Sequence, residues 1–397
     1  MQCGRVYWMV EHQANGNHRV KADRCVLYPY GRTIRLYDLT YEQLAGLLAG
    51  WGEPRFRVDQ VWRWLYRSLV GDFKAMGNLP ADLRARLTAE TELAVLTPLA
   101  EQASASGRTR KVLFQLGDGN TLESVLMQYH DRWTACISTQ VGCGMGCTFC
   151  ATGQGGLARN LSAGEIVAQA LFLAREIRQE ELERAEALGQ RGKIPEHPVS
   201  NIVLMGMGEP LANYGATWQA IETLTNSRGY GLGARRITLS TVGLVPGIRR
   251  LAEEGLAINL AVSLHAPSDE LRNQLVGINR RYPIPELMAA VRDYVERTRR
   301  RVTFEYALIA GVNDAPHQAR SLAGLLSGLL CHVNLIPLNA TPGAELRPSS
   351  REGTNAFRDE LEGAGIATTV RMRRGIDIEA GCGQLRQRRA DGNRAAS

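Results

Sequence analysis

The chain of 397 residues has few lysines and no long apolar run. No stretch of about 18 uncharged apolar residues occurs, which excludes a membrane-spanning helix. The segment from Met1 to Glu11 lacks the apolar run of a secretion signal, so we expect a cytoplasmic protein with no membrane partner. Nearly all of the positive charge is guanidinium, because the only lysines are Lys21, Lys74, Lys111 and Lys193.

The charge balance favours an anionic partner. The chain has 47 basic and 40 acidic residues, a formal net charge of +7. The planar guanidinium matches phosphate oxygens and stacks on bases, so this charge suits a nucleic acid. A coding bias that replaces lysine by arginine throughout would give the same composition. Hydrophobic residues at 44% and charged residues at 22% indicate a globular protein and exclude global disorder.

Changes of pattern along the chain predict five segments. They are an extension without periodicity over 1–34, a small helical accessory domain over 35–100, a β-hairpin linker over 101–130, a barrel over 131–384 and a basic tail over 385–397. In the helical domain, arginines stand beside aromatic residues: Arg55, Arg57, Arg63 and Arg67 beside Trp62, Trp64 and Tyr66. Two interpretations are open, an RNA-facing surface or an aromatic core under a solvated arginine face.

Strand and helix patterns alternate in the predicted barrel. Six such units predict an α/β fold, a parallel sheet curled into a partial (β/α)6 barrel, with the chemistry on the loops after the strands. One helix begins with a capping box, Ser162 to Glu165. The predicted barrel strands are Thr134–Ser138, Asn201–Met205, Arg236–Ser240, Ala257–Leu264, Val302–Ile309 and Val333–Pro337, and the predicted hairpin joins Lys111–Leu116 to Thr121–Met127.

Three of the eight cysteines form a C-x3-C-x2-C motif directly after the first predicted barrel strand. In a reducing compartment such spacing indicates metal binding rather than disulfides. Cys143, Cys147 and Cys150 can hold three irons of a [4Fe-4S] cluster and leave the fourth iron open to a chelating substrate. The interspersed Gly142, Gly144 and Gly146 let the backbone wrap around it. Zinc would need a fourth ligand, which no nearby Cys or His supplies.

This loop resembles that of the radical S-adenosylmethionine (SAM) superfamily, in which the amino and carboxylate groups of SAM chelate the open iron. Further motifs narrow the resemblance to the RlmN family of RNA adenine-C2 methyltransferases, over about residues 38 to 384. They are Phe56 to Trp64, Asn78-Leu-Pro80, Gly206-Met-Gly-Glu-Pro210, Ser240-Thr-Val-Gly243, Ser263-Leu-His265, Asn339 and Gly381-Cys-Gly383. The resemblance implies that SAM contacts Gly208, Glu209, Ser240, Ser263, Leu264, His265 and Asn339.

Two further cysteines answer a chemical requirement of such a reaction. The C2 carbon of adenine is electron-poor and cannot attack the methyl group of SAM directly. A cysteine can take the methyl group, lose a hydrogen atom to a 5′-deoxyadenosyl radical and add to C2, and a second cysteine can then resolve the adduct. The resemblance assigns Cys382 as the methyl carrier, Cys136 as its disulfide partner and Glu123 as the general base. Cys3, Cys25 and Cys331 fit no role.

The family resemblance also implies partners. They are 23S rRNA at the peptidyl-transferase region, tRNA at the base next to the anticodon, and a reductant such as flavodoxin or ferredoxin; a monomer is expected. Methylation at adenine C8, as in Cfr-type relatives, and a non-catalytic RNA-binding factor with a structural metal stay open as alternatives. Candidate phosphate contacts are Arg235-Arg236, Arg249-Arg250, Arg280-Arg281, Arg299 to Arg301 and Arg371-Met-Arg-Arg374.

Overall fold

The computed structural model describes residues 33–130, 132–189, 196–339, 345–371 and 375–385. The extension predicted for 1–34 lies outside these residues apart from its last two positions, and so does the tail predicted for 385–397 apart from Leu385. Cys3, Cys25 and the 372–374 part of the last arginine cluster also lie outside them.

The N-terminal part is a small helical unit. It contains α1 (Tyr41–Gly50), α2 (Phe56–Tyr66) and α3 (Ala81–Glu90), and its ends are joined by a parallel pair of short strands, β1 (Ile34–Arg35) and β2 (Thr91–Glu92). Trp62 and Tyr66 are buried, whereas Arg55, Arg63 and Arg67 are exposed. Trp62 and Tyr66 therefore belong to the core of this unit, which favours the interpretation of an aromatic core under a solvated arginine face.

An antiparallel meander follows the helical unit. Its strands are β3 (Leu96–Ala103), β4 (Thr109–Leu116) and β5 (Thr121–Tyr129), and β5 pairs in turn with β6 (Arg132–Cys136). The predicted hairpin corresponds to β4 and β5. Its turn uses Gly119 at φ +82°, a left-handed conformation that favours glycine. The segment is thus continuous with the main sheet and contains one strand more than the predicted hairpin.

Seven parallel strands form the barrel wall. They are β6 and, after the small antiparallel pair β7 (Gln140–Gly142) and β8 (Leu157–Asn160), β9 (Asn201–Leu204), β10 (Ile237–Thr241), β11 (Asn259–Ser263), β12 (Val302–Leu308), β13 (Cys331–Pro337) and β14 (Thr368–Val370). The whole sheet has the order β14-β13-β12-β11-β10-β9-β6-β5-β4-β3. All six predicted barrel strands are present, and β14 was not predicted because three residues carry no readable alternation.

Helices connect successive strands. They are α4 (Ala151–Gln154), α5 (Ala163–Ala187), α6 (Tyr214–Thr225), α7 (Val245–Leu251), α8 (Asp269–Leu275), α9 (Ile284–Thr298), α10 (Pro316–Leu326) and α11 (Arg351–Gly363). The predicted capping box is confirmed: the Ser162 hydroxyl accepts from the Glu165 backbone, and the Glu165 carboxylate accepts from that of Ser162. None of the described helices combines the length and apolarity that crossing a membrane requires.

Candidate active site

The carboxyl ends of the parallel strands surround one cavity of about 950 Å³, counting its open mouth. We call it the upper cavity. Parallel strands place their carboxyl ends at one edge of the sheet, so residues far apart in sequence meet there. The predicted site residues that line it are Cys143, Cys147, Cys150, Gly208, Glu209, Ser240, Ser263, His265, Asn339 and Cys382.

The three-cysteine loop is held closed by the small sheet of β7 and β8. The Cys143 amide donates to the Gly156 carbonyl at 2.8 Å. Gly142 adopts φ +78°, and a Cβ there would lie 2.0 Å from the Gly156 oxygen, so this position admits only glycine. Burial raises the pKa of Cys143 to about 11 and also raises that of Cys147, so a metal must displace the thiol protons as it binds.

The donor set fits an iron–sulfur cluster with three protein ligands. All three thiols come from one loop and line one cavity. Within the described ranges, no group of three His, Cys, Asp or Glu side chains is placed to hold a single metal ion. Three thiolates and a neighbouring open cavity are what a cluster with one free iron requires.

Glu209 lies buried beside the cysteine loop. Its carboxylate accepts hydrogen bonds from the amides of Leu211 at 3.0 Å and Val242 at 2.9 Å. Burial raises its pKa to about 7 in spite of these bonds. A cationic amino group in the cavity would stabilise the ionised form, so Glu209 suits the ammonium of an amino acid. At the adjacent Gly208, a Cβ would meet the Gln140 backbone nitrogen at 2.8 Å, so only glycine fits.

The carboxamide of Asn339 is only half satisfied. Its Nδ2 donates to the Cys382 carbonyl at 3.2 Å, whereas its buried Oδ1 has no hydrogen-bond partner in the described part of the chain. A buried acceptor without a hydrogen-bond partner is energetically costly. Asn339 Oδ1 therefore indicates that a ligand in the cavity donates a hydrogen bond to it. Leu264, in contrast, is fully buried and does not line the cavity, and its backbone groups already bond to Glu305 and Arg272. A contact between SAM and Leu264 stays a prediction.

His265 is a neutral hydrogen-bond donor in this setting. Its Nδ1 accepts from the Ala307 amide at 2.9 Å, so the ring proton resides on Nε2. Its backbone is left-handed, at φ +61°, and its carbonyl accepts from the Asn313 side chain at 2.8 Å. Burial, with Arg272 nearby, lowers the pKa of His265 to about 3.

We expect this buried histidine to make the protein sensitive to acid. The pKa is lower in the folded chain than the 6.5 of the free side chain, so its stabilising contribution is complete above pH 6.5 and is lost as pH falls towards 3. Asparagine tolerates the left-handed backbone and keeps an acceptor near the Nδ1 position. From pH 7.5 to 4.5 the wild type should therefore lose about 3 kcal/mol of unfolding free energy relative to His265→Asn.

Urea unfolding at several pH values measures this difference. His317→Asn is the control, because His317 is exposed on α10. A wild-type pH profile parallel to that of His265→Asn would show that the histidine is not held neutral.

The segment carrying Cys382 docks on the cysteine loop. The Ala151 amide donates to the Gly383 carbonyl at 2.8 Å, and the Thr152 hydroxyl donates to the Leu385 carbonyl. At Gly381 a Cβ would lie 2.6 Å from Asn339 Nδ2, so glycine is needed for this approach. These contacts bring the Cys382 thiol to the wall of the upper cavity.

A second cavity adjoins the first and contains both remaining cysteines. We call it the middle cavity; it has about 540 Å³, counting its mouth, and its lining includes Val125, Cys136, Met205, Arg371 and Cys382. Cys136 is buried, and burial together with the neighbouring Cys382 raises its pKa to about 12. Cys136 is therefore a protonated thiol at neutral pH.

Strand register places the predicted base on the same face as Cys136. Cys136 pairs with Val125, which pairs with Lys111, and Glu123 lies two residues before Val125. The Glu123 carboxylate does not line either cavity but faces Lys111 Nζ at 3.4 Å, and both side chains are buried. Lys111 Nζ also donates to the Glu379 carbonyl at 3.3 Å, on the segment leading to Cys382. Lys111 thus connects the predicted base to the Cys382 segment.

Arg272 is a positioning residue that sequence reasoning missed. It is fully buried, and its guanidinium donates to the carbonyls of Leu264 (3.0 Å), Val242 (2.6 Å) and Ser263 (3.2 Å) and to Asn279 Oδ1 (2.7 Å). It thereby fixes the ends of β10 and β11 that supply the cavity wall. No motif contains Arg272, and only its place in α8 could have suggested a role.

Replacing Arg272 by methionine should destabilise the protein by about 3–5 kcal/mol, because buried carbonyls lose their donors. Urea unfolding measures the change. Arg320→Gln on the exposed side of α10 should stay within about 0.5 kcal/mol of wild type. Equal stabilities of the two variants would mean that the guanidinium is not needed to hold the strand ends.

Comparison with known proteins gives consistent matches. Residues 34–93 match the model of the ribosomal RNA large subunit methyltransferase N-terminal domain, and residues 137–322 match that of the radical SAM superfamily. A protein of Chloroflexus aurantiacus, named a probable dual-specificity RNA methyltransferase RlmN, is 54% identical over 356 residues, covering 88% of this chain and 92% of its own. A Myxococcus xanthus protein named dual-specificity RNA methyltransferase RlmN 1 is 48% identical, with 90% and 96% covered.

A solved structure agrees with these matches. The crystal structure of a radical SAM methyltransferase from Sphaerobacter thermophilus superposes with a TM-score of 0.82 at 53% identity. The match covers 89% of this chain and 99% of that one.

Proposed function

Because the chain belongs to the RlmN family of dual-specificity radical SAM RNA methyltransferases, we propose that it methylates C2 of adenosine through a methyl-cysteine. As a member of that family it is an enzyme that uses SAM and a [4Fe-4S] cluster. The proposed substrates are 23S rRNA at the peptidyl-transferase centre and tRNA next to the anticodon. Flavodoxin or ferredoxin is the proposed reductant of a monomeric enzyme.

One observation carries the proposal. Cys382 lines both the upper cavity, with the cluster cysteines and the predicted SAM contacts, and the middle cavity, with Cys136. A methyl-carrying cysteine has to meet SAM on one side and its resolving partner on the other. The position of Cys382 in the walls of both cavities supports this role.

Different residues of the upper cavity would hold the cluster and SAM. Cys143, Cys147 and Cys150 would hold the cluster, and Glu209, His265 and Asn339 supply an acceptor, a neutral donor and an orphaned acceptor for SAM. When bound, the cluster supplies the electron that cleaves SAM to a 5′-deoxyadenosyl radical. One SAM molecule serves as methyl donor and a second as radical source.

The two cysteines then act in sequence. Cys382 takes the methyl group by displacement, and a hydrogen atom of that methyl group passes to the 5′-deoxyadenosyl radical. The carbon radical left on Cys382 adds to C2, and the unpaired electron that this leaves on the adenine ring would return to the cluster. A base removes the C2 proton, and the Cys136 sulfur then attacks the Cys382 sulfur, so that the bond between Cys382 and the methylene carbon breaks. The released carbon takes up a proton and becomes the methyl group of the product, while the two cysteines remain joined as a disulfide. Glu123 is the proposed base; it lies on the same face of β5 as Val125, which lines the middle cavity, and would turn from Lys111 towards that cavity.

Anaerobic turnover with SAM, a reductant and unmodified RNA tests the proposal. After digestion to nucleosides, mass spectrometry with chromatographic standards should identify 2-methyladenosine. An 8-methyladenosine product would contradict C2 specificity and identify the Cfr-type reaction. RNA binding without consumption of SAM would instead indicate the non-catalytic factor.

A further inference from the structure

A third cavity opens at the opposite end of the barrel from the cluster cysteines. We call it the lower well; it measures about 1510 Å³, counting its mouth. Its wall comes from the amino-terminal ends of the strands, chiefly Asn201 on β9, Thr238 on β10, Asn259 on β11 and Thr303 on β12. None of the roles proposed above uses this cavity.

The lower well is polar and positively charged. Exposed Arg132, Arg299 and Arg301 line it, and Glu305 is the only acidic side chain among the described residues of its lining. Arg300 has a structural task, because its guanidinium donates to the Ile258 carbonyl at 3.0 Å and to Asn259 Oδ1 at 3.1 Å. Exposed guanidinium groups can bind phosphates, and the amide and hydroxyl side chains of the wall can form hydrogen bonds with a base.

The three cavities adjoin one another. Met205 and Arg371 line all three, and Met127 and Tyr129 line both the middle cavity and the lower well. A path therefore leads from the lower well, past Met205 and Arg371, to Cys136 and Cys382. The upper cavity provides the sites for the cluster and SAM, so a second substrate must reach Cys382 from another side.

We propose that the lower well is where RNA enters the barrel. An extruded adenosine of an unpaired strand passes Met205 and Arg371 to the middle cavity, while Arg132, Arg299 and Arg301 bind the phosphates that flank it. A base must leave its stack to reach a buried reaction site, which is why the strand has to be unpaired there. The inference rests on the proposed function and adds the entry surface.

Charge neutralisation tests the phosphate contacts. Arg299→Gln/Arg301→Gln removes two charges of the lower well, and Arg320→Gln/Arg358→Gln is the matched control on α10 and α11, where both arginines form ion pairs with acidic side chains. Binding of a fluorescein-labelled, adenosine-containing single-stranded RNA is followed by anisotropy from 0.05 to 0.2 M salt.

With Arg299→Gln/Arg301→Gln the negative slope of log K against log salt should become shallower by about 1.4, at about 0.7 per contact, and binding should weaken about 25-fold at 0.1 M salt. The control pair should leave the slope as in wild type. An equal loss of RNA affinity in both double variants, or no loss in Arg299→Gln/Arg301→Gln, would overturn the assignment of these arginines as phosphate contacts.

A steric block tests the path itself. Thr238→Trp places an indole in the lower well, and Ser321→Trp on the exposed side of α10 is the control. Both are made with Cys136→Ala, which should trap the RNA adduct, and adduct is measured per 5′-deoxyadenosine formed. The ratio should fall at least tenfold with Thr238→Trp and stay unchanged with Ser321→Trp.

The outcomes separate the two ideas. An unchanged ratio in folded Thr238→Trp overturns the entry path but leaves the methylation proposal standing. If the wild type methylates no RNA and Cys136→Ala alone forms no adduct, the proposed function fails first, and the entry path fails with it. Should Thr238→Trp not fold, judged by thermal unfolding, the arginine pair decides.

Discussion

Replacing Cys382 by alanine is expected to abolish methyl transfer while reductive cleavage of SAM continues. The predicted cluster cysteines and the predicted SAM contacts lie on other segments, so the upper cavity keeps them. RNA methylation should fall below detection, at least 1000-fold, because C2 of adenine cannot take a methyl group directly from SAM. The two activities are measured as methyladenosine and 5′-deoxyadenosine by chromatography and mass spectrometry.

The matched control is Cys331→Ala. Cys331 is the first residue of β13, at the opposite end of that strand from Asn339, and should be dispensable for both activities. Methyl transfer that survives in Cys382→Ala would refute the shuttle role of this cysteine. Loss of 5′-deoxyadenosine in Cys382→Ala would mean that the segment is needed to bind SAM.

Replacing Cys136 by alanine is expected to trap the enzyme as a covalent complex with RNA. Without a second thiol, the bond between the Cys382 methylene and C2 is not exchanged for a disulfide. Most of the active enzyme should stop within the first turnover, before product is released. The complex appears on a denaturing gel as a band of reduced mobility that nuclease returns towards the free protein.

Two variants define the specificity of the trap. The double variant Cys136→Ala/Cys382→Ala should give no complex, and Cys331→Ala should turn over as wild type does. Free turnover of Cys136→Ala would remove its resolving role. The raised pKa of Cys136 is compatible with that role, because a protonated thiol does not attack before a base is available.

The local features could be read from the sequence with good accuracy. The cysteine spacing, the capping box at Ser162 and the six barrel strands depend on neighbouring residues, so each leaves a pattern within a short window. The topology then predicts which residues lie near one another, because parallel strands place their carboxyl ends at the same edge of the sheet. This rule predicted that Glu209, Ser240, Ser263 and Asn339 would share one cavity, and they do.

Features that depend on packing left no such pattern. Arg272 lies in an ordinary helix, and its role comes from carbonyls on two other loops. Lys111 is one of only four lysines, and its rarity was the one sign in the sequence that it could have a special role. Its contact with Glu123 depends on the pairing of β4 with β5. The lower well is built from the first residues of several strands, where no motif marks a site.

The primary structure by itself therefore determined the chemistry of this protein: a three-thiol loop, glycines where the backbone must turn, and the order of strands along the chain. The tertiary structure decided which distant groups meet, above all that Cys382 lies between the three-cysteine loop and Cys136. The physical reason is that motif spacing follows from covalent geometry over a few residues. The meeting of Cys136 and Cys382 depends instead on strand register and on the hydrogen bonds that dock one segment on another.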